Sequence, residues 1–352
     1  MSSRPFDSML SCPAPFDQRD IVELAHGGGG RKTARLIETL FVPAFRNPQL
    51  EPLADGAVVT VGSERLAFTT DTFVVKPVFF PGGDIGSLAV HGTVNDLAMC
   101  GAQPLFLSAG YLLEEGFPLR DLARVVDSMA GACRAVGVSL VTGDTKVVDR
   151  GKGDGIYVNT SGIGRVLEGV SVGPDRAAVG DAVIVSGPIG DHGIAVMAAR
   201  EGIDFETQLV SDSAPVVAPV RALLDAVPAT HVLRDPTRGG LATALCEIAV
   251  SSNVGIRLDE GEIPVREEVR GACELLGFDP LYVACEGRFL AIVPGPQAEA
   301  ALAAIRSQPG GEGARLVGRV VGDDPGRLVL RTRIGSHRLL ERLSGEQLPR
   351  IC

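Results

Sequence analysis

Three aspartates and one cysteine carry the chemistry that can be read directly from this chain. Asp71 lies in Thr69-Thr70-Asp71-Thr72-Phe73, Asp96 in Val94-Asn95-Asp96-Leu97-Ala98-Met99, and Asp144 in Gly143-Asp144-Thr145-Lys146. A carboxylate in apolar company is costly unless it is paired or bound to a cation. Each one alone reads as a helix cap or a salt-bridge partner. Together, at the edges of predicted elements, they favour Mg²⁺ ligation, since magnesium takes one or two carboxylates plus substrate phosphates. The cysteine is the last residue of Gln347-Leu348-Pro349-Arg350-Ile351-Cys352. Pro349 is a poor helix continuer, and chain ends move unless tied down, so a terminal thiol can enter a cleft elsewhere. A frayed end is the ordinary meaning of such a residue. Prenylation is excluded, because it needs a cysteine four places from the end.

The elements that must position these residues can be traced in order. Residues 1–47 read as an extension carrying His26-Gly27-Gly28-Gly29-Gly30-Arg31-Lys32. Four consecutive glycines suit neither helix nor strand. They serve either as a flexible linker or as a lid whose amides, with Arg31 and Lys32, approach phosphates. Residues 57–61 and 66–70 predict a hairpin leading into Asp71. The turn Pro81-Gly82-Gly83-Asp84 precedes a helix over 85–100 that holds Asn95 and Asp96, with Gly101 as its C-cap and Pro104 as a stop. A strand at 105–111, a helix at 119–135, a strand at 139–142 running into Asp144, and a strand at 156–164 holding Asn159 complete a first domain over 48–167. A second domain, 168–330, alternates strands and helices. It contains Gly187-Pro188-Ile189-Gly190-Asp191-His192-Gly193, Asp235-Pro236-Thr237-Arg238-Gly239-Gly240 and Cys285-Glu286-Gly287-Arg288. Asp235 or Thr237 could cap the helix that follows, and its free amides would suit an anion. Residues 331–352 read as a flexible, basic tail. The element order indicates a two-domain α+β or α/β protein.

Composition narrows the function class. A chain of 352 residues with 45% hydrophobic and 22% charged residues and 44 glycines is a globular protein with many tight turns. No apolar run reaches membrane-spanning length, and Met1 to Phe16 lacks signal-peptide character, so a cytoplasmic protein is expected. A net charge of -10, zero Trp and three Tyr argue against nucleic acid as a partner. Seven cysteines without a C-x-x-C pair suggest neither a disulfide framework nor structural zinc. Standard nucleotide fingerprints are absent.

Resemblance extends the reading. Thr70-Asp71, Val94-Asn95-Asp96-Leu97-Ala98-Met99-Cys100-Gly101-Ala102-Gln103-Pro104 and Gly143-Asp144-Thr145 resemble the AIR-synthetase (PurM-like) superfamily of ATP-dependent enzymes. The glycine run, the Gly187–Gly193 and Asp235–Gly240 segments and the ending Pro349-Arg350-Ile351-Cys352 resemble, within it, the HypE family of hydrogenase maturation factors. The resemblance runs from His26 to Cys352. It implies a PurM-like fold: a strand-rich, ATP-binding first domain forming a dimer barrel, an α/β second domain and a mobile tail. It also implies a reaction. A carbamoyltransferase, HypF, loads the terminal Cys352 as an S-carboxamide, and ATP-dependent dehydration turns this into a thiocyanate. The thiocyanate supplies cyanide to the iron of [NiFe]-hydrogenase through a HypC–HypD scaffold. Asp71, Asp96 and Asp144 are implied to hold Mg²⁺ and ATP, joined by Asn95 and Asn159, with Gly27, Gly28, Gly29 and Gly30 closing over the nucleotide. Lys146 is implied to neutralise phosphate or polarise oxygen, and Glu286 to accept the proton. His192 reads as a structural histidine, while His26 is open between structural and catalytic roles. The α-carboxylate should raise the Cys352 thiol pKa, partly offset by Arg350, so activation by the partner or by a pocket is expected. The alternatives are a relative acting on a free small molecule, such as a selenophosphate synthetase or AIR synthetase, or a non-enzymatic scaffold. A selenophosphate synthetase would place a reactive Cys in an N-terminal motif, and Cys12 in Ser11-Cys12-Pro13 lies outside one. A scaffold gains nothing from an Asp96 buried in an apolar helix.

Overall fold

The computed structural model describes residues 21–203, 209–343 and 350–352. Cys12 and the tail residues 344–349 therefore lie outside the described residues. Among the described residues a 3-10 turn (Leu24–His26) comes first, followed by α1 (Arg31–Leu36), a π-helical stretch (Ile37–Phe41) and α2 (Val42–Phe45). The first domain follows as β1 (Ala57–Val61), β2 (Glu64–Phe73), β3 (Phe79–Phe80), β4 (Gly83–Asp84), α3 (Ile85–Met99), β5 (Ala102–Glu114), α4 (Leu119–Val136), β6 (Ser139–Val148) and β7 (Ile156–Val166). The second comprises β8 (Ala182–Val185), α5 (Asp191–Glu201), α6 (Val217–Ala226), β9 (Val232–Arg234), α7 (Gly240–Ser251), β10 (Gly255–Asp259) and α8 (Glu267–Leu276). It continues with β11 (Leu290–Val293), α9 (Ala298–Arg306), β12 (Arg315–Val321), β13 (Leu328–Arg331) and β14 (His337–Leu340).

The first sheet has the order β1-β2-β7-β5-β6, antiparallel except for the β5–β6 pair. Its pleat decides which residues can meet. In β2 the odd-numbered Ala67, Thr69 and Phe73 are buried against α3, while Phe68, Thr70 and Thr72 face outward. Cross-strand register carries this parity through the sheet. Thr72 opposes Asn159, which opposes Gly110, which pairs with Asp144. The outer face thus bears Thr72, Asn159 and Asp144, and the helix-side face bears Asp71, because successive strand residues point to opposite sides. Strand β6, expected to end at Thr142, runs on to Val148 as an exposed edge.

Helix α3 is buried nearly all round because it lies between the sheet, α4, α6 and β9. Its start is fixed by Asp84, whose carboxylate accepts from Gly86 N (2.7 Å) and Ser87 N (3.1 Å), while Ser87 Oγ accepts from Asp84 N. Gly101, at φ +67°, ends it in the left-handed conformation. Helix α4 is amphipathic and buries Val125, Met129, Ala132 and Cys133.

The second sheet has the order β14-β13-β10-β12-β8-β11-β9. One side packs on α7 through Leu241, Leu245 and Ile248, the other on α6 and α9 through Leu223, Ala301 and Ile305. One expectation is corrected here. The sequence predicts a flexible tail from Arg331, yet His337–Leu340 pair with β13 as an edge strand, because Leu340 alternates inward to a buried position. No described helix is long and apolar enough to cross a membrane.

Candidate active site

Where α3 meets β9, carboxylates from three segments converge. Asp96 on α3, Asp55 in the loop before β1 and Asp235 just after β9 each present an oxygen within 4.8 Å of the others. Arg234 is the local counter-charge. Its Nε lies 3.0 Å from Asp55 and its Nη2 donates to Glu247 on α7 at 2.9 Å. Thr69 on β2 donates its hydroxyl to Asp96 Oδ2 (2.8 Å). Burial pushes the Asp96 and Asp235 carboxyls well above the usual range, and the neighbouring carboxylates push further. Burial likewise raises Asp55 to about 6, opposed by the Arg234 guanidinium. Such a set is unstable as bare anions. Its all-oxygen donors and its excess negative charge fit a hard divalent cation.

The cluster continues toward the terminus of the chain. Asp71, partly buried, lies 3.7 Å from Arg238, and its carboxyl is raised by burial against the pull of that guanidinium. Arg238 also donates to the Gly27 carbonyl at 3.0 Å. The glycine run is thereby pinned to the second domain. Gly29 has φ +73°, and a Cβ there would stand 2.9 Å from the Arg238 carbonyl oxygen, so both backbone freedom and bareness are required at this position. Beyond Arg238 stands Glu286, whose fully buried Oε1 has no hydrogen-bond partner. Burial first, then Asp235 and Asp71, lift its carboxyl well above the ordinary value. Asp212 holds the loop by accepting from Glu286 N (3.1 Å), with Arg288 3.6 Å away. Gly287 is obligatory there, since a Cβ would come 1.8 Å from the Asp212 carbonyl oxygen. Gly287→Ala should therefore cost about 3 kcal/mol, read as a lower denaturation midpoint at unchanged slope.

Cys352 docks against this end of the cluster. Its thiol stands beside the Glu286 carboxyl, and only 7% of the residue is exposed. The last residues lie along the exit of β2: Val74 N donates to the Cys352 terminal oxygen and Lys76 N to the Arg350 carbonyl, both at 3.1 Å. Arg350 donates to the Val74 carbonyl and pairs with Asp154. Ile351 enters the apolar core between the domains. Burying Ile351 contributes about 1.5–3 kcal/mol, and two backbone hydrogen bonds add roughly 1 kcal/mol each. Ordering three residues costs about 3–6 kcal/mol. Docking is therefore close to balanced, and single polar contacts decide it. Burial raises the thiol pKa, Arg238 opposes this, and Glu286 and Asp71 reinforce it. The upward direction expected from the α-carboxylate is found, with other causes: desolvation leads, and Arg238, in place of Arg350, is the facing cation.

The other predicted residues fall into distinct places. Asn95 is buried and structural in its contacts, donating to the Ala214 carbonyl (3.0 Å) and accepting from Val216 N (2.8 Å). Asn159 donates to the Asp71 carbonyl (2.8 Å) and Thr72 Oγ1 (2.9 Å) from the outer face. Asp144 and Lys146 form an exposed ion pair (2.6 Å) on that same face, in a hollow of about 420 Å³ shared with Thr72, Gly110 and Tyr157. They are not among the groups gathered around Asp96. Gly28 lies in the same bend as Gly27, Gly29 and Gly30. Arg31 and Lys32 pair with Glu341 and Glu23, and His26 Nδ1 accepts from Glu23 N at 3.0 Å. The cap expectation for Asp235 or Thr237 is corrected. Gly239, at φ +84°, caps α7 with no side-chain bond, because Asp235 is drawn into the acidic cluster.

Comparison with known proteins agrees with this geometry. Residues 53–166 match the N-terminal domain of AIR synthase related proteins, and residues 178–331 match their C-terminal domain. The chain is 53% identical over 331 residues to carbamoyl dehydratase HypE of Azotobacter vinelandii, covering 94% of this chain and 97% of that protein. A crystal structure of a HypE–HypF complex superposes with a TM-score of 0.84 at 46% identity, over 88% of this chain and 99% of the other. A HypE crystallised in complex with ATP superposes with a TM-score of 0.80 at 49% identity, over 94% and 100%. With likeness of this extent, the chain belongs to the AIR synthase related family and, within it, to the HypE carbamoyl dehydratases that form the cyanide ligand in [NiFe]-hydrogenase maturation.

Proposed function

We propose that this chain carries its own substrate, dehydrating an S-carboxamide on Cys352 to a thiocyanate with ATP. The observation that carries this reading is that the terminal Cys352 is buried beside the buried Glu286 carboxyl, one step from an aspartate cluster. ATP, the ligand of a relative 49% identical to this chain, supplies the phosphoryl group that makes the carboxamide oxygen a leaving group. Asp55, Asp96 and Asp235 would hold Mg²⁺, with Asp71 beside them. A cavity of about 680 Å³ opens next to them, lined in part by Asp55, Thr69, Arg234 and Glu247, and is large enough for a nucleotide. Both nitrogen protons must leave, one as the oxygen is phosphorylated and one as phosphate departs, and Glu286 takes the second; burial and its acidic neighbours raise its pKa and so make its ionised form a stronger base. Arg238 binds the developing anion between Asp71 and Glu286. Holding the substrate on the chain's own end makes delivery intramolecular.

Loading requires Cys352 to leave its buried dock and meet a carbamoyltransferase of the HypF kind, and release requires a HypC–HypD acceptor. The outer face of the first sheet, with Phe68, Ile163 and Phe106 in one exposed row, is the surface on which we expect a homodimer to close. Asp144, Asn159 and Lys146 would then serve from that interface.

The test is mass spectrometry of the full chain incubated with its carbamoyltransferase, carbamoyl phosphate and ATP. A carboxamide should appear on Cys352 and lose one water when ATP and Mg²⁺ are present, and Cys352→Ala should show neither adduct. An unmodified Cys352 alongside turnover of a free small molecule would overturn the reading.

A further inference from the structure

We propose that His192 is the positioning residue that sets where Cys352 docks, and that Ser211 fixes the imidazole tautomer on which this depends. The inference rests on the reading that Cys352 carries the reacting group. His192 lies in the first turn of α5 and is fully buried. Its Nδ1 is 2.7 Å from Ser211 Oγ and its Nε2 is 2.6 Å from the Ile351 carbonyl oxygen. A carbonyl can only accept, so Nε2 must carry a proton. Ser211 Oγ already accepts from Ser213 N at 3.0 Å, which leaves its single hydroxyl proton to donate to Nδ1. The relay from Ser213 through Ser211 and His192 to Ile351 is thus complete with a neutral ring, and each group has its partner. Phe80 stands edge-on to the imidazole, 5.5 Å between centroids at 88°, and limits rotation of the ring.

The placement of this bond is what matters. The Ile351 carbonyl belongs to the peptide that leads into Cys352, so fixing it fixes the origin of the thiol-bearing side chain relative to Glu286. The other backbone hydrogen bonds and the ion pair of the tail, from Val74, Lys76 and Asp154, come from the first domain. His192 holds the tail from the second domain, which also carries Glu286. A base on one domain and a substrate registered only to the other would shift apart with any relative motion of the two, and geometric errors of about 1 Å are costly in rate. The bond to His192 places base and substrate in one frame.

Alkylation of Cys352 by iodoacetamide, read on the C-terminal peptide of the full-length protein, tests the dock without requiring turnover. His192→Ala should accelerate alkylation about tenfold, the loss of one well-made hydrogen bond. Ser211→Ala, which frees the tautomer, should accelerate it about threefold by the same scale. His192→Gln, whose amide can donate from near the Nε2 position, should stay within about twofold of the unaltered protein. The rate of water loss from the carbamoylated protein should fall in the same order. Unchanged alkylation in both alanine variants overturns the proposal, and if His192→Ala fails to fold, Ser211→Ala alone decides. Faster alkylation with undiminished water loss removes the positioning role. Absence of water loss in the unaltered, carbamoylated protein sinks instead the reading on which this one rests.

Discussion

Asp96→Asn should slow thiocyanate formation by orders of magnitude and, at the same time, make the cation-free protein more stable. Asp96 is partly buried, its carboxyl is desolvated, and Asp235, Asp55 and Asp71 all oppose its ionisation. Neutralising it removes repulsion while keeping the shape and an acceptor for the Thr69 hydroxyl. Relief of this kind is worth on the order of 1 kcal/mol. The cation site loses a charged ligand, and a loss of several kcal/mol of charge stabilisation slows the reaction about 10³-fold. The pH dependence gives a second signature. The folded pKa of Asp55 is about 6 against 3.8 for the free group, and Asp96 and Asp235 are raised further. Between those limits the folded protein binds more protons than the unfolded chain, so stability falls as pH rises. Without a divalent cation the protein should therefore be more stable near pH 5 than near pH 8. Mg²⁺ should reverse the trend, and Asp96→Asn should flatten it. Thermal unfolding across pH with and without Mg²⁺ would measure this. A variant that is less stable at every pH, with an unaltered slope, would remove the like-charge account of the cluster.

Local signals in the chain pointed to the α3 helix, the β1–β2 hairpin and Asp71, Asp96 and Cys352 as candidates for chemistry, whereas Glu286 stood out only through the family resemblance. Parity across unlike strands was not legible. Asp71 and Asp144 follow similar patterns of residues, yet the register of β2, β7, β5 and β6 puts them on opposite faces of one sheet. Register depends on pairings that a single sequence does not reveal. Asp55 gave no signal because it lies in a loop among Pro and Leu residues, and its partner Arg234 is distant in the chain. Asp235 gave a misleading one, since an acidic residue shortly before a helix resembles a cap, and only the approach of α3 reveals its other use. His192 was legible as a satisfied buried histidine, but what satisfies it is the chain terminus, which no local pattern indicates.

Glu286→Gln should leave nucleotide binding nearly intact and slow water loss from the carbamoylated Cys352 by about 10²–10³-fold, the usual contribution of a general base. The substitution is isosteric. The loop it sits on is held by its own backbone, through Asp212 and the obligatory Gly287, so the geometry around Arg238 should survive. In the unaltered protein a raised pKa makes Glu286 protonated at low pH, and only the ionised form can accept a nitrogen proton. The single-turnover rate should therefore climb with pH and level off above the Glu286 pKa, and that rising limb should vanish in the glutamine variant. A bound cation at the neighbouring aspartates favours ionisation of Glu286, so raising Mg²⁺ should shift the limb to lower pH. The metal site and the base would then be linked by electrostatics alone, across Asp235 and Asp71, the two acids that most strongly oppose ionisation of Glu286. Equal losses of ATP affinity and of turnover, or an unaltered pH profile, would make Glu286 a structural group and leave the reaction without its proton acceptor.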